Sequence, residues 1–194
     1  MTSGRKLIFA SFALALVQII FLGWMIVDRA AVLRDGREVL LKVEPVDPRD
    51  LLRGDYVILS YGISRIPLSM VADIDELDEE LATRTTIVVR LRKAQDGYWE
   101  AVNAWVRPPP TPAGADEVDI EGQIPALNRV HMQGEVRVTY GIERFYLPEG
   151  EGRAIERDMG TRPFAVRVAV SNAGKSQVKA LMDGEQLLFQ EPLY

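Results

Sequence analysis

The longest apolar stretch of the chain runs from Leu7 to Val27 and contains no charged residue. Its 21 residues, at a helical rise of about 1.5 Å each, would span the roughly 30 Å hydrocarbon core of a membrane. A cleaved signal peptide would have a shorter apolar core followed by a small-x-small cleavage site. Because the small pair Ala30-Ala31 follows the charged pair Asp28-Arg29, the pattern predicts an uncleaved transmembrane anchor.

The charges that flank this stretch predict its orientation. Arg5 and Lys6 precede it, and basic residues beside a membrane helix tend to stay in the cytoplasm. Long domains cross a membrane largely regardless of the charges that follow the helix, so Arg29 and Arg34 carry less weight. We therefore expect residues 1–6 to form a cytoplasmic tail and the domain after the anchor to lie outside the cytoplasm.

Beyond the anchor, the apolar positions alternate in several short runs that predict strands: residues 38–44, 56–61, 86–93 and 98–106. Asp96-Gly97 lies between the last two runs and is a hairpin signal. Apolar residues at helical spacing predict a helix over Met70, Ile74, Leu77 and Leu81. Residues 107–117 include four prolines and predict a linker, because proline cannot join a central strand.

The same order of signals begins again after the linker. Matches at an offset of 80 or 79 are Pro45 with Pro125, Arg49 with Arg129, Gly54 with Gly134, and Tyr61-Gly62-Ile63 with Tyr140-Gly141-Ile142. Matches at an offset of 77 are Val89-Arg90 with Val166-Arg167, and Gly97 with Gly174. The series predicts an internal duplication of residues 30–106 in residues 118–194, each copy reading β-β-α-β-β, with the second helix over residues 152–159.

The predicted fold class is therefore α+β and strand-rich, after one transmembrane helix. A duplicated unit could form two tandem domains or one domain with a pseudo-two-fold axis. About 70 residues bury little apolar area alone, so we expect the single pseudo-symmetric domain.

The segment from Asp47 to Tyr61 combines a helical turn with a strand. Asp47 can cap the turn, Pro48 suits its first position, and Gly54 suits its end. In the strand that follows, Val57, Leu59 and Tyr61 point to one face and Tyr56, Ile58 and Ser60 to the other.

This segment carries a resemblance to a known family. Gly54, Asp55, Tyr56, Leu59 and Tyr61 spell G-D-Y-x-x-L-x-Y, so the chain is identified as similar to the GDYXXLXY family of bacterial membrane-anchored proteins. Residues 46–49, 140–144 and 148–152 also resemble that family. The candidate binding residues follow from these matches: Gly54, Asp55, Tyr56, Leu59, Tyr61, Tyr140, Arg144, Glu149 and Glu151.

The resemblance implies a protein of the bacterial inner membrane with a periplasmic domain. It also implies an accessory subunit that binds or assembles with an integral membrane protein. We expect no cofactor and no metal.

Asp55 and Glu135 occupy matching positions, each after a glycine and ahead of a predicted strand. Two such carboxylates could bind a cation or act as acid and base, which would make the protein a membrane-anchored hydrolase distantly similar to signal peptidases. Alternatively, each carboxylate accepts backbone hydrogen bonds in a tight turn, the commoner role of Asp at such positions.

Composition removes several other classes of function. The net charge is −5 and the isoelectric point is near 5.1, and no basic stripe offsets this charge, so nucleic acid is not an expected partner. The chain contains no Cys and one His. Thiolate chemistry, disulfides and multi-histidine metal sites are therefore excluded.

One face of the predicted anchor differs from the rest. Ser11, Ala15 and Gln18 fall at positions i, i+4 and i+7 of the helix and share a face. Ser11 and Ala15 form a small-x-x-x-small pair, and Gln18 lies near the middle of the bilayer. This face predicts packing against another membrane helix, from a second copy or from a polytopic partner; a tolerated single Gln is the alternative.

Overall fold

A long helix precedes a strand-rich domain in the computed structural model, which describes residues 2–44, 56–73, 85–125, 134–146, 155, 158 and 161–191. Helix α1 covers Thr2–Asp35 and is long and apolar enough to cross a membrane. The large apolar side chains between Leu7 and Val27 are all exposed. The predicted apolar helix is confirmed, and it continues past Val27 to Asp35.

The last turns of α1 pack onto the domain. Ala30, Val32 and Leu33 are buried, unlike the apolar residues that precede them. The Asp28 carboxylate accepts a hydrogen bond from the Lys175 ammonium at 2.8 Å. At the end of the helix, a Cβ on Gly36 would lie only 3.1 Å from the Val170 nitrogen. The helix therefore meets the domain at a packed junction.

The strands of the domain are short and antiparallel. They are β1 (Arg37–Glu44), β2 (Tyr56–Ile58), β3 (Ser60–Tyr61), β4 (Arg65–Pro67), β5 (Thr85–Lys93), β6 (Trp99–Trp105), β7 (Glu117–Ile124), β8 (Glu135–Arg137), β9 (Arg144–Tyr146), β10 (Phe164–Val170), β11 (Ser176–Asp183) and β12 (Gln186–Gln190). Two 3₁₀ turns, Gly62–Ser64 and Leu68–Met70, flank β4. This is the strand-rich domain that the alternating patterns predict.

The sheets combine strands from both halves of the chain. The larger sheet has the order β12-β11-β10-β1-β3, and a second has the order β6-β5-β7. Strand β1 thus pairs with β10 of the second half, while β7 pairs with β5 of the first half. Two small sheets, β2 with β9 and β4 with β8, also join the halves. One cluster of buried apolar residues extends through both halves.

Besides the extension of α1, two predicted elements differ within the described residues. The predicted strand over residues 56–61 is broken at Leu59, whose amide still donates to the Glu143 carbonyl next to β9 at 2.8 Å, because the chain changes its partner strand at this residue. Strand β2 therefore pairs with β9, whereas β3 pairs with β1. Met70 does not begin a helix: it ends a 3₁₀ turn, and Val71 forms a parallel bridge with Ala104.

Several predictions fall partly or wholly outside the described residues. The helical turn at residues 47–54 lies outside them, as do Ile74, Leu77 and Leu81 of the first predicted helix. Of the second predicted helix, the structure describes Ile155 and Asp158, both helical. The hairpin at Asp96-Gly97 is confirmed, and residues 107–116 contain no strand.

Candidate binding site

The described part of the motif segment lies in the core. Val57, Leu59 and Tyr61 are all buried, as the alternation predicts. The neighbouring Ile58 points outward and is exposed. The buried side chains of this segment therefore belong to the core of the domain, while Ile58 faces solvent and Ser60 is half-buried.

Tyr61 and Tyr140 form a reciprocal pair of hydrogen bonds between the two halves. The Tyr61 hydroxyl donates to the Ile142 carbonyl at 2.6 Å, and the Tyr140 hydroxyl donates to the Ile63 carbonyl at the same distance. The backbone amides of the same tyrosines are also held, by the Ser64 hydroxyl at 3.3 Å and the Glu143 carboxylate at 2.5 Å. Each tyrosine thus fixes the turn that follows it and the turn of the other half.

Burial determines what these phenols can do chemically. It raises the pKa of Tyr61 and of Tyr140 well above the ordinary value of a tyrosine, and the Glu143 carboxylate raises both further. A phenol held neutral in this way cannot serve as a base near neutral pH. Both tyrosines therefore act as structural donors in the described geometry.

The structure places Tyr56 and Arg144 on the β2–β9 sheet and Glu135 on the separate β4–β8 sheet. Glu135 is exposed at the first position of β8, where it pairs with Pro67 of β4. Arg144 is exposed on β9 and pairs with Ile58, while Tyr56 pairs with Tyr146. Gly54, Asp55, Glu149 and Glu151 lie outside the described residues, so the predicted Asp55–Glu135 pair is a prediction that stays open.

The residues predicted to pack against another membrane helix lie on α1, as the helical spacing predicts. Ser11, Ala15 and Gln18 are on α1, and all three are exposed on its surface. The Ser11 hydroxyl donates to the Leu7 carbonyl one turn earlier, at 3.0 Å. Ser11 is therefore satisfied within its own helix, which leaves Gln18 as the side chain of this face with hydrogen-bonding capacity to offer a neighbour.

A cleft of about 310 Å³ opens between β1, the turn after Tyr61 and the start of β6. Its walls combine apolar and aromatic side chains with charged groups. The lining residues are Leu41, Lys42, Glu44, Tyr61, Gly62, Ile63, Arg65, Pro67, Met70, Asp96, Tyr98, Trp99, Glu100 and Ala101. A concave site with an apolar floor and a few polar groups is the usual form of a binding site.

Charged side chains of both signs surround the mouth of this cleft. Arg65 donates to the Glu44 carboxylate at 2.9 Å, which fixes one side of the rim. Lys42, Asp96 and Glu100 are exposed around the rest. On the floor, Trp99 is buried, with the Arg37 guanidinium 5.2 Å from its ring centre. Such mixed charge suits a polar, extended ligand such as a peptide better than a strongly charged one.

A buried arginine forms a second cluster that the sequence patterns did not predict. Arg90 donates to both oxygens of Asp119 at 2.7 and 2.8 Å, and to the Thr111 carbonyl at 2.6 Å. Its guanidinium also lies 4.9 Å from the ring centre of Trp105. Thr111 belongs to the proline-rich segment, so this cluster fastens that segment to the sheet. An arginine inside the apolar run of β5 was the available signal.

A neighbouring carboxylate belongs to the same cluster. Hydrogen bonds from Arg92 and from the Gly114 amide, together with the charge of Arg90, lower the pKa of Glu117. All of these groups are paired, which is the arrangement of a structural ion-pair network. Among the described residues, no group of three or more His, Cys, Asp or Glu side chains could hold a metal ion.

Comparison with known proteins identifies the family of this chain. No curated protein and no solved structure matches the chain at a significant level. The sequence model of the GDYXXLXY protein family, in contrast, matches residues 18–181, from the middle of α1 to β11. The match therefore covers most of the chain, including the two tyrosines and the cleft, and the chain belongs to the GDYXXLXY protein family.

Proposed function

We propose that the protein is a membrane-anchored binding and assembly module of the bacterial inner membrane, with its domain on the periplasmic side. It acts as an accessory subunit of an integral membrane complex. The observation that carries this proposal is the junction between α1 and the domain. The apolar part of the helix is exposed over its whole length, and its last turns are buried on the sheet.

The junction has a mechanical consequence. Val32 and Leu33 are buried, and the Asp28–Lys175 ion pair bridges the helix to the turn between β10 and β11. A flexible tether would instead let the domain sample many orientations. With α1 in the bilayer, the cleft is held at one height and one orientation above the membrane. That arrangement suits the recognition of a partner that is itself fixed in the membrane.

We further propose that the domain arose by internal duplication. The pairing Glu44 with Ser60 has its counterpart in Gln123 with Thr139, displaced by 79 residues at both positions. By the same displacement, the β2–β9 pairing corresponds to the β8–β4 pairing. The hydrogen bond from Tyr61 to Ile142 likewise corresponds to the one from Tyr140 to Ile63. These matches support one pseudo-symmetric domain whose halves exchange their first strands.

The helix face of Ser11, Ala15 and Gln18 supplies the membrane contact in this proposal. Gln18 would form an interhelical hydrogen bond, which contributes about 0.6–2 kcal/mol in membrane systems. Its neighbour is a helix of the integral membrane partner or of a second copy.

Purification from membranes in a mild detergent tests the assembly role. We expect the full chain to be recovered with an integral membrane protein or as a defined oligomer. The Gln18→Leu variant should stay in the membrane and lose recovery of that component, while the control Ile20→Leu on another face should retain it. Recovery of the chain as a lone monomer would contradict the proposal. Equal recovery of the membrane component with both variants would show that α1 serves as an anchor and does not bind the partner through Gln18.

A reporter fusion tests the orientation separately. A reporter that is active only in the cytoplasm, fused after Tyr194, should be silent when the protein is in the membrane. Activity of that fusion would place the domain on the cytoplasmic side and contradict the periplasmic location.

A further inference from the structure

The hairpins β5–β6 and β10–β11 have turns of the same construction. In the first, the Gly97 amide donates to the Ala94 carbonyl at 3.1 Å; in the second, the Gly174 amide donates to the Ser171 carbonyl at 2.9 Å. Both glycines have positive φ, +89° and +80°. The two turns can therefore be compared position by position.

The turn at Gly174 is packed against a strand edge. The Gly174 carbonyl accepts a hydrogen bond from the Glu121 amide of β7 at 2.9 Å. A Cβ on Gly174 would lie 3.1 Å from that same nitrogen. The backbone of a glycine turn thus completes the outer edge of β7, beside the bridge from Gln123 to Thr139.

The turn at Gly97 has no such neighbour in the part of the chain that the structure describes. A Cβ on Gly97 would meet no described atom within 4 Å. Among the described residues, no backbone hydrogen bond joins this turn to β1. The cleft lies in that place, with Lys42 on one wall and Asp96 and Tyr98 on the other.

The register identifies the backbone group that faces the cleft. Glu44 pairs with Ser60 as Gln123 pairs with Thr139, so Lys42 on β1 corresponds to Glu121 on β7, each two residues earlier. Backbone groups two residues apart in a strand point to the same edge. The Lys42 amide therefore points to the edge of β1 with which β3 pairs at Val43 and Glu44. This edge borders the cleft.

We propose that this cleft binds a backbone turn or extended segment of a partner polypeptide by pairing with the edge of β1 at Lys42. The partner's carbonyl oxygen accepts from the Lys42 amide as the Gly174 carbonyl accepts from Glu121. Open strand edges commonly recruit polypeptide in this way. This inference rests on the proposed assembly role and names the kind of segment that is recognised.

The chemistry of the cleft narrows the segment further. A volume of about 310 Å³ lies at the lower end of the range for ligand sites, so it suits a short segment. The counterpart turn carries Asn172, Ala173 and Gly174, and a Cβ at the glycine would be crowded there. A turn with a glycine at the point of contact therefore fits, with an apolar neighbour over Trp99 and polar groups towards the rim.

The test uses the full chain in detergent micelles and a cyclised peptide that copies residues 166–180. The ¹⁵N signal of the Lys42 amide, assigned with Lys42→Arg, reports binding, and Trp99 fluorescence reports it independently. We expect a saturable shift at Lys42 that a scrambled peptide does not produce. No saturable shift, or the same shift from the scrambled peptide, would overturn the proposal.

Variants that fill the cleft supply the second arm. Ala101 and Met70 both line it and are half-buried. Ala101→Phe and Met70→Trp should each weaken peptide binding at least about tenfold. Val102→Phe is the control, because Val102 is equally half-buried, adjacent in β6 and absent from the lining. Thermal unfolding of each variant identifies any that fails to fold, and unchanged binding by folded Ala101→Phe and Met70→Trp would overturn the proposal.

Co-purification with these variants separates this inference from the proposed function. Loss of the membrane component with folded Ala101→Phe, but not with Val102→Phe, supports docking in the cleft. Undiminished recovery with Ala101→Phe overturns the cleft as the docking site and leaves the assembly role intact. If the chain forms dimers and Ala101→Phe dissociates them, a second copy is the occupant of the cleft. That outcome would overturn the proposal of a separate partner.

Discussion

Tyr61 and Tyr140 each donate to a carbonyl of the other half at 2.6 Å, whereas the turns at Gly97 and Gly174 have different surroundings. The tyrosines lie in the core, where a lost partner would leave a buried polar group unsatisfied. The turns lie at the surface, where a strand edge can be covered or left to solvent. The described geometry is therefore reciprocal at the two tyrosines and different at the two glycine turns.

The arginines at the strand irregularities of β5 and β10 repeat this contrast. The register shifts directly after Arg90 in one hairpin and directly after Arg167 in the other. The side chain of Arg90 is 7% exposed and paired with Asp119, while that of Arg167 is 40% exposed and lies 3.6 Å from Glu38. The residue before the register shift thus carries a buried ion pair in the β5–β6 hairpin and a surface ion pair in the β10–β11 hairpin.

The largest predicted difference between the halves comes from these arginines. Arg90→Met leaves the Asp119 carboxylate without its main partner and frees the Thr111 carbonyl. Because Asp119 retains some solvent contact, we expect a loss of about 2–3 kcal/mol in the free energy of unfolding. Arg167→Met should cost less than about 1 kcal/mol. Denaturant unfolding of the full chain in detergent measures both, and similar losses would contradict the contrast.

The glycine turns give the next largest difference. Gly97→Ala introduces strain at positive φ alone and should cost about 1 kcal/mol. Gly174→Ala adds a contact at 3.1 Å with the Glu121 nitrogen and should cost about 2 kcal/mol. Thermal unfolding of the two variants compares them directly. Equal destabilisation would mean that the neighbours of Gly174 accommodate the added methyl group with no loss of stability, and that the two turns are equivalent.

The buried tyrosines predict a pH dependence that should be equal in the two halves. Burial, with the Glu143 carboxylate, raises the pKa of Tyr61 and Tyr140 in the folded state, while unfolded tyrosine titrates near about 10. The stability due to the neutral phenols is thus present below about pH 10 and is lost as the pH rises beyond it. At pH 11, each phenol should reduce the free energy of unfolding by about 1.4 kcal/mol relative to pH 8.

Matched substitutions isolate these contributions. Tyr61→Phe and Tyr140→Phe should each remove about half of the alkaline loss that the two phenols cause, measured by denaturant unfolding at pH 8 and pH 11. Tyr146→Phe is the control, since Tyr146 is 63% exposed, and it should leave the alkaline loss unchanged. If only one of the two core variants reduces the alkaline loss of stability, the environments of the two tyrosines differ.

Local patterns predicted the elements whose signals lie within a few residues of one another. The uncharged run from Leu7 to Val27 predicted α1, and Asp96-Gly97 predicted the β5–β6 hairpin. The alternation of Val57, Leu59 and Tyr61 predicted the buried face of the motif segment. Each of these signals depends on periodicity or turn chemistry, which the chain carries locally.

The features that depend on distant pairing were missed. The break at Leu59 reflects a change of partner strand from β9 to β1, and β9 lies in the other half of the chain. The burial of Arg90 depends on Asp119 and Thr111, and the extension of α1 to Asp35 depends on packing against the sheet. The cleft has no local signature either, because its lining comes from β1, the turn after Tyr61, Met70 and β6, which are separate segments of the chain.

The smallest predicted effect concerns what holds the turn at Gly174 in place. Lys175 pairs with Asp28 of α1 at 2.8 Å, and both side chains are about half exposed. Exposed ion pairs contribute little, since water and salt screen them. Lys175→Met should therefore cost less than about 0.5 kcal/mol, and this cost should shrink in 1 M salt. A larger loss at every salt concentration would show that the ion pair with α1, and not the contact with β7, holds the turn at Gly174 in place.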